Sequence, residues 1–538
     1  MTAIDDALQI TAPERRPSLW NARRLLASPA GPTLLAASLA VLSILLGWRG
    51  TDTAAHFFRV GLVKRDGFHV WNNYWFGGHH TPGYSLLFPA LGAVIGIWIV
   101  AVVSAASSAL TLDLVLRRAT GGPRRWASIW FAAGTVTNIA IGRLPFALGM
   151  AVALGALLAA VHGRIMVAGL LSVLCAAASP VTGAFLALIW AAWALAEIGR
   201  ARRAMVALVA CALGPVLALS AIYPQGGSFP FRWTALVWSV VVAGVVVVLV
   251  EQRVVRIAAV LYGMASVVAF LVPTPLGGNL TRFGMYAAGP VLLALVPLRR
   301  LVFVVLVPAL LWWQWSPAFD AMFQSGRDES TRQEYYRPLL QFLESVDAED
   351  ARVEIVPTQR HWETAYVAFE FPIARGWERQ LDIRFQPMFY EPDLSAGDYR
   401  AWLMEAGVQY VALADAPLDR SGLEEARLLE EDLWYLRPAW RSDHWRVWEV
   451  TNSTGLIDGP AEVVDIDADS VWIDVRAAGD VKLRVRPSAY WVSDPPLCIE
   501  PTTDDWIELR DAQPGRIRVF IDESDLVSTE DPCQPADP

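Results

Sequence analysis

Long runs of apolar residues dominate the first 315 positions of the chain. Several of them approach the roughly 20 residues that a helix needs to cross a hydrocarbon core about 30 Å thick. We predict eleven membrane-spanning helices, at 29–48, 96–116, 126–142, 145–161, 165–178, 181–198, 205–223, 235–250, 257–272, 284–298 and 301–315. The apolar run at 82–95 is too short to span and predicts a half-inserted helix. The first run is long for a signal peptide, so we expect it to remain as a membrane anchor.

After Trp315 the pattern becomes typical of folded domains in water. Residues 330–452 mix helical spacing with strand-like runs and predict an α/β domain. Its helices are expected at 333–346, 399–406 and 422–431, and its strands at 353–356, 408–413 and 445–450. Residues 460–538 contain short alternating runs and predict a small β-sandwich followed by a tail. Its strands are expected at 470–475, 481–485, 506–509 and 516–521.

Composition and charge support a division into two regions. The chain is 54% apolar and only 18% charged, against about 25% charged residues in ordinary soluble domains. This excludes a disordered chain and a basic nucleic-acid-binding surface. Residues 1–315 carry 23 Lys and Arg against 8 Asp and Glu, whereas residues 316–538 carry 21 against 45. We therefore expect a basic region in the membrane and an acidic region in water.

The placement of basic residues orients the predicted helices. Of the 23 Lys and Arg before position 316, 16 fall in alternate loops that we assign to the cytoplasm, and 7 fall on the other side. Residues 1–28 are then a cytoplasmic tail, and 29–315 form the membrane domain with a first outer loop at 49–95. Both C-terminal domains lie outside the cytoplasm, which predicts a multi-pass protein of the cell membrane.

The outer loop 49–95 collects ionisable residues, which are functional candidates beside a membrane. Asp52 and Asp66 are the two acidic residues expected on the outer side of the membrane domain. Asp52, His56 and Arg59 are spaced so that a helix would place them on one face; a solvated cap would also explain Asp52. The adjacent pair His79 and His80 would point apart, and no third ligand has a diagnostic spacing. We therefore predict no metal site there.

Two arginines at outer helix ends, Arg143 and Arg282, lie beside Gly or Pro residues. The forked donors of Arg match phosphate oxygens, although both side chains could instead reach for the membrane interface. We predict that both converge with Asp52 on one outward cavity. A polar and aromatic cluster at 361–363 and 375–379 would bind carbohydrate, dock on the membrane part or form a packed interface of paired charges.

The four cysteines divide by location. Cys175 and Cys211 lie in apolar runs and are expected to act as small apolar residues. Cys498 and Cys533 lie in the predicted outer region, where disulfides persist, and are candidates for a disulfide.

The chain resembles the GT-C superfamily of membrane glycosyltransferases. The resemblance rests on an acid directly after the first membrane helix and on the aromatic and Gly-rich outer loop. The segments 73–89, 142–145, 279–282, 374–382 and 410–413 are similar to a bacterial branch labelled 6-pyruvoyl-tetrahydropterin-synthase-related membrane proteins. The Cys, His and Glu set that pterin chemistry would need is not evident in the sequence.

The resemblance implies a polytopic helical enzyme that transfers a sugar from a polyprenyl-phosphate donor to a cell-envelope glycan or glycolipid. Asp52 matches the catalytic acid of the first outer loop, acting as general base or positioning the acceptor. We expect six residues to support it or contact the acceptor: His56, Arg59, Asp66, His79, His80 and Tyr84. Arg143 and Arg282 would bind the donor phosphate. Trp71, Tyr74 and Trp75 would stack on sugar rings.

Two points stay open in the sequence. Many members of the superfamily carry paired acids, but here Asp52 follows Thr51, so a divalent metal is possible and no cofactor is assigned. The sequence is also compatible with a non-catalytic membrane scaffold that binds envelope polymer, or with a transporter or flippase of lipid-linked sugar. Membrane lipids are expected partners in every case.

Overall fold

The computed structural model describes residues 28–297, 300–348 and 351–523, together with Cys533. Apart from Ser28, the predicted cytoplasmic tail 1–28 lies outside the described residues, as does most of the C-terminal tail. The described chain forms a helical region followed by a β-rich C-terminal region.

Helices occupy each of the eleven apolar runs. The helices of this region are α1 (Ala30–Leu45), α2 (Thr53–Asp66), α3 (Leu87–Ile95), α4 (Ile97–Thr120), α5 (Arg125–Ile141), α6 (Leu144–Val161), α7 (Ile165–Ala178), α8 (Pro180–Ala196), α9 (Gly199–Ile222), α10 (Trp233–Leu249), α11 (Arg253–Leu271), α12 (Thr281–Leu295) and α13 (Arg300–Gln324). Within the described residues, four helices are long and apolar enough to cross a membrane: α4, α6, α9 and α11. Helices α2 and α3 belong to the outer loop 49–95, and α3 falls in the run predicted to be half-inserted.

Large apolar side chains lie exposed on the outside of the helical region. The exposed fraction is 87% for Met166, 82% for Val94, 80% for Val248 and 71% for Leu271. A water-soluble monomer rarely exposes a contiguous apolar surface of more than a few hundred Å². The exposed surface is therefore compatible with contact to lipid.

The first C-terminal unit is a four-stranded sheet with helices around it. Its strands are β3 (Arg352–Ile355), β4 (Val408–Ala414), β5 (Leu436–Arg441) and β6 (Trp445–Val450), in the order β3-β4-β6-β5. Its helices are α14 (Gln333–Ser345), α15 (Glu363–Tyr366), α16 (Arg379–Phe385), α17 (Ala396–Glu405) and α18 (Leu423–Leu428). Strands β3 and β4 are parallel and the other pairs antiparallel. The sequence pattern missed β5 because this strand is mostly exposed and contains Pro438, which suits an edge position.

The second unit consists of two four-stranded antiparallel sheets around one apolar core. Its strands are β7 (Ile457–Asp458), β8 (Ala461–Ile466), β9 (Ser470–Val475), β10 (Gly479–Leu483), β11 (Trp491–Asp494), β12 (Ile499–Pro501), β13 (Ile507–Ala512) and β14 (Gly515–Ile521). The sheet orders are β12-β13-β10-β7 and β11-β14-β9-β8. A disulfide joins Cys498, which directly precedes β12, to Cys533 in the C-terminal tail.

The loop 49–95, predicted as the first outer loop, lies between the helical region and both C-terminal units. Besides α2 and α3 it holds a short hairpin of β1 (Trp71–Asn72) and β2 (His79–His80). Phe58 and Trp75 enter the core of the α/β unit, and Trp71 enters that of the sandwich. Tyr74 and Trp75 are only 5% and 0% exposed, which corrects the expectation that they stack on a sugar. They are core residues, because the loop is covered by the C-terminal region.

Candidate active site

A cavity of about 710 Å³ lies where the helical region meets the α/β unit. Asp52, Arg143 and Arg282 all line it, so the structure brings together the three residues expected to share an outward cavity. The α/β unit closes the other side with four charged or aromatic residues: Trp377, Glu378, Arg379 and Asp419. The cavity is therefore built from segments that are hundreds of residues apart in the chain.

Two glycines set the position of Asp52, which directly precedes α2. The Gly50 N–H donates to the carbonyl of Ala140 at 2.8 Å, and the Asp52 N–H donates to that of Ile141 at 3.2 Å. Gly142 ends α5 with φ of +91°, and a Cβ there would lie 2.4 Å from the Thr53 nitrogen. This close approach holds Asp52 against the turn between α5 and α6.

The two arginines lie at the N-terminal ends of α6 and α12. Arg143 immediately precedes α6, and its backbone N–H donates to the carbonyl of Asn138 at 2.7 Å. The guanidinium of Arg282 lies 5.4 Å from the ring centre of Phe146. Arg282 is close enough to both Asp52 and Arg143 for their charges to interact. The site thus places two positive charges near one carboxylate.

Other charged residues of the cavity are engaged in ion pairs. Glu378 pairs with Arg59 at 2.7 Å, Arg379 pairs with Asp419 at 2.8 Å, and Asp320 pairs with Arg360 at 2.6 Å. By contrast, Asp52, Arg143 and Arg282 form no ion pair with another described residue. Their charges remain available to a ligand.

An apolar cavity of about 370 Å³ adjoins this polar cavity inside the helical region. It extends from Leu112 and Thr120 on α4 to Tyr286 on α12, and Arg282 is the one charged residue in its lining. Phe146 and Arg282 line both cavities. This apolar cavity, which we call the apolar groove, therefore ends at Arg282, which also lines the polar cavity.

His56, Arg59 and Tyr84 form a layer behind Asp52. Tyr84 lines the cavity, with the guanidinium of Arg59 at 4.1 Å from its ring centre and the ring of His56 at 5.4 Å. Burial and the charges of Arg59 and Arg282 hold the pKa of His56 well below its usual value, so the ring is neutral. Burial raises the pKa of Tyr84 to about 12. His56 and Tyr84 are therefore both neutral near pH 7, and all three residues support the cavity wall.

Asp66, His79 and His80 are not brought to Asp52. Asp66 lies at the far end of α2, where it pairs with Arg65 at 2.9 Å. His79 and His80 form β2, which faces a different pocket. The length of α2 separates Asp66 from Asp52, and His79 and His80 lie beyond the end of that helix.

The α/β unit supplies cavity residues that the sequence indicated only as a cluster. The ring of His361 stacks on Trp377 with 3.5 Å between centroids, and its nitrogens lie 3.3 Å from Glu363 and 3.5 Å from Asp419. Burial lowers the pKa of His361, but its bonds to the two carboxylates outweigh this effect and raise it. Burial alone would raise the pKa of Asp419, but its bonds to His361 and Arg379 outweigh this effect, and the pKa is lowered. The cluster therefore forms a packed interface of paired charges, one of the expected alternatives, and its residues Trp377, Glu378 and Arg379 also line the cavity.

The residues around Asp52 do not fit a three-ligand metal site. In the described part of the chain, Asp52 belongs to no group of three His, Cys, Asp or Glu side chains close enough to share an ion. Cys498, Glu500 and Cys533 do form such a group there, but its cysteines are joined by the disulfide.

No protein-family model matches the chain, and no curated protein matches it. The functional argument therefore rests on the residues and geometry of the cavity.

Proposed function

We propose that this protein is an integral membrane glycosyltransferase of the GT-C type. It transfers a sugar from a polyprenyl-phosphate donor to a cell-envelope glycan or glycolipid on the outer face of the membrane. The observation that carries the proposal is the junction of an apolar groove with a polar cavity at Arg282, beside the unpaired carboxylate of Asp52. This arrangement matches a donor that consists of a long hydrocarbon chain, a phosphate and a sugar. The hydrocarbon chain matches the apolar groove, the phosphate matches Arg282 and the sugar matches the polar cavity.

In this proposal the eleven apolar helices cross the membrane, with the N-terminus in the cytoplasm and both C-terminal units outside. Two features support the arrangement: the 16 to 7 distribution of basic residues between alternate loops and the exposed apolar side chains on the helices. The positive-inside rule then assigns Asp52, Arg143 and Arg282 to the outer side.

The donor chain lies in the apolar groove, and its phosphate lies at Arg282 and Arg143. Arginine suits this position, because its donors match phosphate oxygens and its charge does not depend on pH. The groove volume of about 370 Å³ holds part of a long polyprenyl chain, and the remainder lies among the membrane lipids.

Transfer forms a bond between the acceptor oxygen and the anomeric carbon of the sugar and breaks the bond from that carbon to the phosphate oxygen. The acceptor hydroxyl gives its proton to the carboxylate of Asp52, which acts as general base and positions the acceptor. The leaving polyprenyl phosphate gains negative charge, which the two arginines stabilise.

Asp52→Asn tests this proposal in the full chain purified in detergent. Removal of a general base costs about 10²–10⁴ in rate, so sugar transfer from a polyprenyl-phosphate donor should nearly disappear while the thermal-unfolding midpoint stays unchanged. Asp66→Asn is the matched control, since Asp66 is the other acid of the outer loop and lies away from the cavity.

Wild-type transfer by Asp52→Asn would contradict the catalytic assignment of Asp52. A wild-type protein that transfers no sugar would favour a scaffold. A wild-type protein that moves lipid-linked sugar between the leaflets of a vesicle without transferring it would favour the flippase.

A further inference from the structure

A pocket of about 330 Å³ separate from the candidate active site lies where four segments meet. These are the hairpin of β1 and β2, the end of α9, the helix α16 and the sandwich loop 486–490. We call it the lateral pocket; its lining includes Trp71, His80, Gln225, Arg384, Arg486 and Tyr490.

Buried polar atoms in its lining lack partners. The Nδ1 atoms of His79 and His80 and the Nε2 atom of Gln225 have no hydrogen-bond partner among the described residues. His79 and His80 are only 4% and 6% exposed. Each ring does interact with one backbone group, His79 with Trp75 and His80 with Val70. Buried polar groups are nearly always hydrogen-bonded, so the three atoms without a partner leave hydrogen-bonding capacity that suits a ligand with hydroxyl groups.

Both histidines are uncharged, and an uncharged imidazole is suited to binding hydroxyl groups. Burial lowers the pKa of His79 to about 3 and that of His80 to about 4. Both rings are therefore neutral near pH 7, and each offers one donor and one acceptor nitrogen. A hydroxyl group has the same dual capacity.

The lateral pocket also provides ring faces and a surplus of positive charge. Phe385 and Tyr490 line it, and the Tyr490 hydroxyl donates to the carbonyl of Ile222 at 2.7 Å. Arg486 pairs with Asp505 at 3.1 Å, whereas the guanidinium of Arg384 donates to the carbonyl of Gln225. Two arginines against one carboxylate leave one positive charge for a ligand.

We propose that the lateral pocket binds a sugar unit of the acceptor that carries a carboxylate or a phosphate. The aromatic rings contact the sugar ring, the two histidines and Gln225 bind its hydroxyls, and Arg384 binds the anionic group. This inference rests on the proposed glycosyltransferase function, because it names the class of acceptor.

The position of the lateral pocket fits an extended acceptor. Gly83 lines the candidate active site, and a Cβ on it would lie 2.8 Å from the side-chain oxygen of Gln225, which lines the lateral pocket. The consecutive residues Gln380 and Leu381 likewise line one cavity each. The two cavities are therefore close neighbours, which suits an acceptor with several sugar units.

Saturation-transfer NMR titrations of the full chain in detergent test this inference with glucuronate, glucose 6-phosphate and glucose. We expect at least one anionic sugar to bind about tenfold more tightly than glucose, as one charged hydrogen bond allows. Arg384→Gln should remove this preference without changing the thermal-unfolding midpoint. Arg437→Gln, an exposed arginine of β5 outside the lateral pocket, should retain it.

A wild-type protein without the preference would overturn the inference, as would a preference that persists in Arg384→Gln. Loss of the preference in Arg282→Gln with its retention in Arg384→Gln would also overturn it, because the anion would then bind in the candidate active site.

The two proposals fail separately. Asp52→Asn should bind the three sugars like the wild type while losing transfer. Transfer without any preference for anionic sugars would overturn only the lateral-pocket inference. Preference without transfer would overturn the glycosyltransferase proposal and leave a saccharide-binding pocket.

Discussion

The guanidinium of Arg59 lies 2.7 Å from the carboxylate of Glu378, although 319 positions separate the two residues in the chain. Both side chains are buried, at 5% and 2% exposure. Burial raises the pKa of Glu378, and the charge of Arg59 opposes that rise. The pair joins the outer-loop helix α2 to the α/β unit at the cavity wall, so it couples the position of Asp52 to that of the C-terminal region.

Arg59→Met should destabilise the protein by about 3–5 kcal/mol, because it leaves the buried carboxylate of Glu378 without its partner. The double variant Arg59→Met and Glu378→Met should recover much of that loss, since no buried charge remains. Thermal-unfolding midpoints in detergent measure both effects. Arg437→Met, which breaks an exposed pair with Glu449, should leave the midpoint nearly unchanged, because an exposed ion pair contributes little to stability. Equal losses for the two single variants would contradict the argument.

Arg282→Gln should weaken the binding of a polyprenyl phosphate at least about tenfold, because a charged hydrogen bond to the phosphate is lost. Its affinity for the matching polyprenol, which has no phosphate, should stay unchanged. Arg232→Gln is the control, since Arg232 is another arginine at a helix start and lies outside both cavity linings. If the two variants lose affinity equally, Arg282 is not the phosphate ligand.

Gly142→Ala should reduce the turnover number for sugar transfer by up to about 10²-fold, because a methyl group against Thr53 would shift Asp52. Gly121→Ala is a matched control: Gly121 also has a positive φ, of +72°, but has open space around it. Both variants carry a similar backbone penalty, and Gly142→Ala adds the contact with Thr53, so its unfolding midpoint should fall further than that of Gly121→Ala. Unchanged turnover in Gly142→Ala would show that the contact does not position the acid.

Cysteine labelling should report opposite sides of the membrane for two introduced thiols. Thr454→Cys lies on an exposed turn of the C-terminal region and should react with a membrane-impermeant maleimide in intact cells. Ala201→Cys, exposed in the first turn of α9, should react only after the cells are permeabilised. The wild-type chain measures the background from Cys175 and Cys211. The reverse labelling pattern would invert the proposed topology.

Local signals led from the sequence to several parts of the site. Asp52, Arg143 and Arg282 stood out because each is a charged residue at the end of an apolar run, and all three line the cavity. The spacing of Asp52, His56 and Arg59 would place them on one face of a helix, and the helix α2 does begin directly after Asp52. Aromatic character was less informative for Tyr74 and Trp75, because a ring that stacks on a sugar and a ring in a core have the same sequence signature.

The sequence by itself determined where the long helices and many of the strands form, because apolar periodicity and Gly or Pro boundaries act over a few neighbouring residues. It also determined the uneven charge between the helical and C-terminal regions. Only the tertiary structure decided that Glu378 meets Arg59, that Trp377 and Asp419 close the cavity, and that His80 faces Tyr490 in a separate pocket. These contacts join residues far apart in the chain, and their energies depend on packing and desolvation, which no local pattern encodes.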